Sequence, residues 1–436
     1  MKPRQALPAL LLAAALVTSA CDAEPRADGG PPPPSTTPPP EGSPSRAPGG
    51  PGSAQAAREA LCEVPPPSGS DVAVEGPTPP AIAEIEREVE EVRGLEFIEP
   101  VSVDPITQEE MVAELGDSFD ESFPQDQYER RSVAWQTIGV IPSGTSIREE
   151  LQEFQEGQVF GFYVPSTGQL VFIGAEEPSP LSHVILAHEL THAIDDQHFG
   201  LRRLDGLAEG CSDEAFEAAV GAVEGNAQLF SFDVAARYLT LEERLAVVEE
   251  AGAQPLPDVP EFIMRLEVWP YEAGFSFMSQ LRSEGGVSAV NEALTNFPLS
   301  TEQILHPERY PNDLPTPLDV PDMAPGLGEG WEDLDVMDVG ESWLSIMLDL
   351  RLDGHVAENA AAGWDGGIYR AWRNGDHVAL VLSTVWDTPG DAQAFGDAMR
   401  DWIQGGRSEV LPVEGSAVRV LFASDGETLD ALETAA

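Results

Sequence analysis

The pattern of apolar and polar positions divides the chain into an N-terminal stretch without a core and a longer folded body. Residues 22–80 are dominated by proline, glycine, serine and alanine, a composition that cannot bury enough apolar surface to fold. From residue 81 onwards apolar side chains recur at helical spacing, beginning with Ile82, Ile85 and Val89. We therefore expect a disordered tether over 22–80 and a folded body that begins near Ala81.

The centre of the body predicts a hairpin followed by two strong helices. Val159–Val164 and Gln169–Ile173 are apolar, aromatic-rich runs separated by a Pro-Ser-Thr-Gly turn, which indicates a β-hairpin. A helix is expected over 183–197, with Ser182 as its N-cap. A second helix, rich in alanine and glutamate, is expected over 213–238.

The remaining pattern predicts more helices and a distinct C-terminal unit. Residues 106–155 are expected to be mostly helical, with an extended conformation as the alternative for Trp135–Ile141. Asn374–Gly375, between two apolar runs, predicts a second hairpin. Further predicted elements are helices over 241–251, 270–283, 287–295, 340–351 and 389–404, and a strand over Val418–Phe422. The chain should therefore be α+β, with a body over 81–365 and a small α+β unit over 366–436.

The first 21 residues are typical of an export signal. Lys2 and Arg4 precede an apolar stretch over 6–17, and three small residues stand before Cys21. A cysteine in this place resembles a bacterial lipobox, in which it becomes the lipidated first residue of the mature protein. We expect residues 1–21 to be a lipoprotein signal peptide and lipobox, with cleavage before Cys21, export, and a lipid anchor at Cys21 that leaves the body on the periplasmic or cell-surface side.

Composition adds two expectations. The 76 acids against 23 bases give a formal net charge of -53, which repels nucleic acid, so nucleic-acid binding is excluded as a function. Cys62 and Cys211 are the cysteines left after Cys21, and an oxidising compartment would favour their pairing. The sequence leaves open whether their geometry permits a disulfide, and it leaves the oligomeric state open.

The run His188-Glu189-Leu190-Thr191-His192 carries the candidate chemistry. Residues four apart lie on one face of a helix, so both imidazoles can reach one zinc ion. Glu189 follows the first histidine and can take a proton from a water on the metal. The pattern predicts one Zn²⁺ per chain, with Glu189 as general base.

Two residues compete as the third zinc ligand. Glu224 lies on the second predicted helix, 32 residues after His192. His198 follows His192 by six residues, a metzincin-like spacing in which Asp195 replaces the usual glycine. We favour Glu224, with Glu217 as a weaker competitor on the same helix.

Three neighbouring polar residues have open roles. Asp196 continues the face of the two histidines, and either Asp195 or Asp196 would orient a ligand histidine or remain a solvated acid. His183, five residues before His188, is expected to cap or pack.

The motif and its surroundings resemble a poorly characterised family of bacterial and archaeal zinc metallopeptidases. The resemblance covers about residues 155–375. It rests on His188–Phe199, Glu224–Gly225, Pro270–Gly274 and Ser300–Glu308. The chain departs from the commonest family residues at Ile194, Asp195 and Asn226.

The resemblance implies a zincin-like, gluzincin-type site. His188, His192 and Glu224 would hold zinc, with Glu189 as base, and a substrate peptide would lie along an edge strand within Val159–Ile173. Tyr271, His306 and Tyr310 are candidates, by residue type, for stabilising the oxyanion.

The expected function is zinc-dependent hydrolysis of peptide bonds, as a metalloendopeptidase. One alternative is a non-catalytic surface lipoprotein that keeps the zincin scaffold for binding or structure. Another alternative is an amidohydrolase that acts on cell-wall material.

Overall fold

The computed structural model describes residues 7–8, 53–62, 78–107, 109–111, 125–158, 160–165, 167–173, 178–254, 257–403 and 405–436. Within them the chain is a mixed α+β protein with many helices and two small sheets, which confirms the predicted fold class.

The helices are α1 (Ala54–Leu61), α2 (Pro80–Arg93), α3 (Gln125–Ile138), α4 (Ile147–Gln158), α5 (Pro180–Phe199), α6 (Arg203–Glu209), α7 (Asp213–Tyr238), α8 (Leu241–Gly252), α9 (Glu261–Thr295), α10 (Thr301–Leu305), α11 (Ala324–Leu327), α12 (Glu341–Asp349), α13 (Gly354–Ala361), α14 (Pro389–Trp402) and α15 (Gly426–Ala435). The strands are β1 (Leu7–Pro8), β2 (Ser102–Ile106), β3 (Gly161–Val164), β4 (Gln169–Ile173), β5 (Glu332–Asp338), β6 (Trp364–Asn374), β7 (His377–Trp386), β8 (Ser408–Val410) and β9 (Ala417–Ala423).

The predicted hairpin is confirmed and forms the centre of the first sheet. β3 and β4 pair antiparallel, with Tyr163 opposite Leu170. β2 adds to β4 in parallel and β1 adds to β3, so the order is β1-β3-β4-β2. The apolar pattern did not predict β2, because Pro105 interrupts it. A proline is tolerated there since β2 is an edge strand.

α5 lies against this sheet and carries the candidate metal motif. Leu186, Leu190 and Ala193 share one apolar cluster with Tyr163 and Phe172. α2 and α7 pack against other sides of the same helix. Because α5 is enclosed by a sheet and two helices, the polar residues at its centre, His188, Glu189 and His192, are buried.

α5 begins one turn earlier than the sequence predicts. The Ser179 hydroxyl accepts a hydrogen bond from the backbone N–H of Ser182 at 3.2 Å, so Ser179 is the N-cap and the prediction of Ser182 is wrong. Pro180 occupies the first helical position, where the missing N–H costs nothing.

α7 and α9 cross with their backbones in direct contact. A side chain at Gly225 would overlap the carbonyl group of Gly274, and a side chain at Gly274 would overlap that of Gly221. Since only glycine lacks Cβ, these three positions permit the approach. The crossing places Tyr271 of α9 within hydrogen-bonding reach of Glu224 of α7.

α9 replaces two shorter predicted helices. The expected segments 270–283 and 287–295 belong to one helical run, which starts at Glu261 and is interrupted at Gly286, where φ is 67°. Pro270 lies inside this run. The prediction failed there because a proline usually marks a helix boundary.

The second sheet is antiparallel, in the order β5-β6-β7-β9-β8. The predicted turn between β6 and β7 is confirmed, but its two loop residues are Gly375 and Asp376, because Asn374 pairs with His377 at the end of β6. β5 was not predicted because acids interrupt its apolar positions, yet Asp335 is buried and accepts hydrogen bonds from Arg131 and Tyr369. The sheet therefore includes a strand that precedes residue 366, and the division of the chain at 366 stays a prediction.

Helices cover both faces of this second sheet. On one face, Leu380 of β7 belongs to the same core as Trp343 of α12 and Trp402 of α14. On the other face, Val381 of β7 packs in a cluster with Ala57 of α1. Residues far apart in the chain thus share each core.

α1 lies inside the predicted tether, so the prediction of disorder is wrong for residues 53–62. The Arg58 side chain is 3% exposed and donates two hydrogen bonds to the Asp338 carboxylate. Cys62 and Cys211 form a disulfide, with their Cα atoms 6.2 Å apart. The local composition gave no sign of this helix because its long-range partners lie at least 69 residues away.

Most of the predicted export signal and tether lies outside the described residues. This holds for Cys21 and for residues 22–52 and 63–77. No helix in the described ranges has both the length and the apolar character that crossing a bilayer requires.

We expect Gly225→Ala to lower the free energy of unfolding by about 1–3 kcal/mol or more, because the added methyl group would force α7 and α9 apart. Gly252→Ala is the matched control, since a Cβ there meets open space; it should be neutral or slightly stabilising. Urea unfolding of both variants checks the prediction. Equal stability of Gly225→Ala and wild type would contradict the close crossing.

Candidate metal centre

Three side chains from two helices converge at one point. His188 and His192 of α5 have their Nε2 atoms 3.0 Å apart. Glu224 Oε2 of α7 lies 3.1 Å from the first nitrogen and 3.4 Å from the second. Each side chain is 1% exposed. The structure thus brings together the three residues that the sequence favours as metal ligands.

These distances fit a tetrahedral zinc ion. With zinc–ligand bonds of about 2.0–2.1 Å, neighbouring ligand atoms lie about 3.3 Å apart. Hydrogen bonds alone cannot satisfy all three atoms. If both Nε2 atoms carried a proton, the two N–H groups would face each other. If one Nε2 did not, its lone pair would face the carboxylate. A divalent cation removes both repulsions, so the donor set fits zinc.

For His188 and Glu224 the environment favours the protonation states that metal binding needs. Burial lowers the pKa of His188, which favours the neutral imidazole. Burial alone would raise the pKa of Glu224, but the charge of His192 and the hydrogen bonds of both imidazoles outweigh it and lower this pKa to about 2. Glu224 is therefore ionised at neutral pH.

Glu189 is held beside the ligands without joining them. The backbone N–H of Tyr163 in β3 donates to Glu189 Oε2 at 2.8 Å. The other oxygen, Oε1, is buried and has no hydrogen-bond partner among the described residues. Burial, and then the charge of Glu224, raise the pKa of Glu189 well above its usual value. The carboxyl group is thus poised to hold a proton.

Of the three oxyanion candidates, Tyr271 is the one that reaches the ligands. Its ring stacks on His188 with centroids 6.1 Å apart, and its hydroxyl group hydrogen-bonds to Glu224. His306 instead pairs with Glu341 at 2.9 Å, and Tyr310 donates to the carbonyl of Asn296 at 2.7 Å.

The competing third ligands lie elsewhere. His198 is exposed, and its Nε2 lies 2.8 Å from the carbonyl oxygen of Glu96. Glu217, two turns before Glu224, faces Glu267 of α9, and burial raises its pKa to about 8. Neither residue belongs to the group that converges at the candidate metal site.

Among the described residues, Asp195 and Asp196 form their hydrogen bonds with groups other than the ligand histidines. Asp195 is buried and accepts hydrogen bonds from Arg93 and Asn226. Asp196 accepts from the Tyr163 hydroxyl at 3.0 Å and from a backbone N–H.

His183 makes a structural contact. Its Nε2 lies 2.7 Å from a carboxylate oxygen of Glu88 in α2. It therefore ties two helices together, in line with the expected packing role.

Sequence reasoning missed three residues around the site. The backbone amide of Tyr163 holds Glu189, and Arg93 and Asn226 bind Asp195. A backbone contact leaves no signal in residue identity. Arg93 and Asn226 are long-range partners, so only the departure of Asn226 from the commonest family residue could have drawn attention to it.

Comparison with known proteins adds a match in the C-terminal part. The model of a family described as a domain of unknown function (DUF8575) matches residues 332–433, which contain the whole second sheet. Comparison with curated proteins and with solved structures found no match. The candidate metal centre lies outside the matched residues.

We expect the purified protein to bind about one zinc ion, and His192→Ala or Glu224→Gln to weaken binding by at least about a hundredfold, because each removes a ligand. His198→Ala and Glu217→Gln are matched controls that should keep wild-type affinity. Competition with a chromophoric chelator measures the dissociation constants. Loss of zinc in His198→Ala but not in Glu224→Gln would reverse the ligand assignment.

The raised pKa values of Glu217 and Glu267, about 8 and about 7, predict that stability falls as pH rises. The folded state binds protons that the unfolded chain, with a pKa near 4.5, releases. This contribution is complete below pH 4.5 and is lost as pH rises through 7 to 8. Urea unfolding at about pH 5.5 and about pH 8.5 should show the decline. Glu217→Gln should reduce it, whereas the exposed Glu272→Gln should not; identical declines in both variants would contradict the assignment.

Proposed function

We propose that this chain is a zincin-like zinc metallopeptidase that hydrolyses peptide bonds. The observation that carries the proposal is the convergence of His188, His192 and Glu224 beside an acid, Glu189, that is not a ligand. Catalytic zinc sites use three protein ligands and leave a position for water, whereas structural sites use four. Among the described residues no fourth histidine, cysteine or acid joins the group.

The chemistry assigns each side chain a role. When bound, zinc would lower the pKa of a water molecule to about 7 and polarise the scissile carbonyl. Glu189 Oε1, which lacks a hydrogen-bond partner among the described residues, would accept the proton of the attacking water. The carboxyl group would then pass this proton to the leaving amine. The Tyr163 amide keeps Glu189 in place throughout.

Tyr271 is our candidate for stabilising the oxyanion. Its hydroxyl group already hydrogen-bonds to Glu224, so it lies at the edge of the metal centre. Burial first, and then the nearby carboxylates, raise its pKa well above the usual value, so the hydroxyl remains a donor at neutral pH. A donor beside the developing charge typically contributes a factor of about 100–1000 in kcat.

The edge of β3 supports a peptide as substrate. Tyr163 donates its amide to Glu189, so this edge borders the general base. β1 pairs with the same edge over two residues, Leu7 opposite Tyr163 and Pro8 opposite Phe162. β1 falls within the expected export signal, and removal of that signal would free the edge. An extended substrate could then add to the strand by backbone hydrogen bonds.

Burial of the site favours a second candidate, a non-catalytic lipoprotein that keeps zinc for structure or binding. The ligands and Glu189 are at most 1% exposed, so a substrate can reach them only if the surrounding protein opens. The unused oxygen of Glu189 argues for catalysis, because a structural zinc site needs no base.

The Cys62–Cys211 disulfide supports the proposal that the protein is exported, since such bonds persist in oxidising compartments. We propose that the body faces the periplasm or cell surface, attached through a lipid on Cys21. The expected tether over residues 22–80 contains a folded segment, the helix α1 (Ala54–Leu61).

Glu189→Gln should lower kcat by at least about a thousandfold, because the amide cannot accept the proton of water, while zinc binding stays within about threefold of wild type. Zinc-dependent cleavage of a broad peptide library, followed by mass spectrometry, measures turnover. The matched control is Glu88→Gln, a buried acid on α2 away from the centre, which should keep activity.

Equal turnover by Glu189→Gln and wild type would contradict the mechanism. Stoichiometric zinc without cleavage of any peptide in the library would favour the non-catalytic alternative.

A further inference from the structure

A second buried polar group joins the two ligand-bearing helices close to the metal centre. Asp195 of α5 is 2% exposed. Its Oδ1 accepts a hydrogen bond from Arg93 Nε at 2.8 Å, and its Oδ2 accepts one from the side-chain amide of Asn226 in α7. One carboxylate therefore connects α2, α5 and α7.

The guanidinium group of Arg93 strengthens this connection through cation–π contacts with aromatic rings. The guanidinium lies 4.6 Å from the ring centroid of Phe230 in α7 and 5.5 Å from that of Phe199 in α5. Its side chain is fully buried, so both the charge and the ring contacts are shielded from water. The arginine at the end of α2 thus contacts the same two helices that supply the ligands.

On both helices this polar group lies within a few residues of a metal ligand, so a change in the group would move the ligands. Asp195 follows His192 by three residues, and Asn226 follows Glu224 by two. At 1.5 Å per residue these separations are about 4.5 Å and about 3 Å along the helix axes. A change in the distance between Asp195 and Asn226 would therefore move the histidines relative to Glu224. Zinc sites tolerate changes of only about 0.2 Å in ligand distance.

We propose that Asp195 is a positioning residue for the metal centre: by binding Arg93 and Asn226 it fixes the separation of α5 and α7, and with it the gap between the two histidines and Glu224. A buried ion pair contributes little stability compared with apolar side chains of equal size, because both charges lose their hydration. The contribution of the ion pair here is to fix the separation of the helices. The inference rests on the proposed function only in taking zinc as the metal.

The test measures the zinc dissociation constant of the whole folded protein by competition with a chelator. Asp195→Asn removes the charge that pairs with the buried Arg93 and leaves one acceptor oxygen for two donors, Arg93 and Asn226. Zinc binding should weaken by about 10–100-fold, the range typical of residues that orient ligands without touching the metal. Asn226→Ala keeps the Arg93 ion pair and removes only the bond between helices. It should show a similar loss and serves if Asp195→Asn does not fold.

An exchange of the two side chains provides a rescue. In the double variant Asp195→Asn, Asn226→Asp, the amide at 195 donates to the carboxylate at 226 and still accepts from Arg93. Zinc affinity should return to within about fivefold of wild type. A residue with a merely general role in stability would not recover affinity when its partner is exchanged.

Asp233→Asn is the matched control, since it breaks the ion pair of α7 with Arg282 of α9 away from the centre; its zinc affinity should not change. Wild-type zinc affinity in folded Asn226→Ala would overturn the inference while leaving the proposed function intact. A wild-type protein that binds no zinc would overturn both. Zinc affinity that depends on Asp195, with turnover that does not depend on Glu189, would support the positioning role and reject the peptidase.

Discussion

Two imidazoles and a carboxylate lie within 3.0–3.4 Å of one another in a space closed to water. Their lone pairs repel each other unless a cation lies between them, and low polarity makes that repulsion stronger. In the proposed zinc-bound state the donors of α5 and α7 would share one ion, which would remove this repulsion. Glu189 would then stand beside the ion: the first sheet holds one of its oxygens, and the other, which has no hydrogen-bond partner among the described residues, would take part in the proposed reaction. The sheet, the helices and the proposed chemistry all depend on this convergence.

Backbone contact between helices brings a third element to the same point. The absence of side chains at Gly221, Gly225 and Gly274 lets α9 lie directly on α7, and Tyr271 therefore reaches Glu224. The ligand and the candidate oxyanion donor neighbour the glycines in the chain, so packing and chemistry are specified by the same short segments. A substitution at one glycine would disturb both.

Several of the few bases of this acidic chain are buried inside it. Lys2 is the only lysine, and arginine supplies the internal cations. Arg58 holds α1 to Asp338, and Arg131 joins α3 to α7 and to β5 through two acids. Arg93 binds Asp195 next to the metal centre. A planar guanidinium can bind a carboxylate with two N–H groups and still stack on aromatic rings, which suits these buried sites better than an ammonium group. The surface keeps the excess of acids, in line with solubility rather than a polyanionic partner.

The sequence by itself determined the local features: the hairpin, helices α2, α5 and α7, the second turn between β6 and β7, and the spacing of His188, Glu189 and His192. Periodicity and turn chemistry act over a few residues, so they can be read without a partner. Only the tertiary structure decided the rest. In the tertiary structure Glu224, and not His198, lies beside the histidines, and the acidic strand β5 is buried. The helix α1 forms inside a stretch whose composition predicts disorder, and Arg93 and Asn226 hydrogen-bond to Asp195. Each of these outcomes depends on which distant side chain arrives at a given point, and that is set by how whole helices and sheets pack rather than by the residues next in the chain.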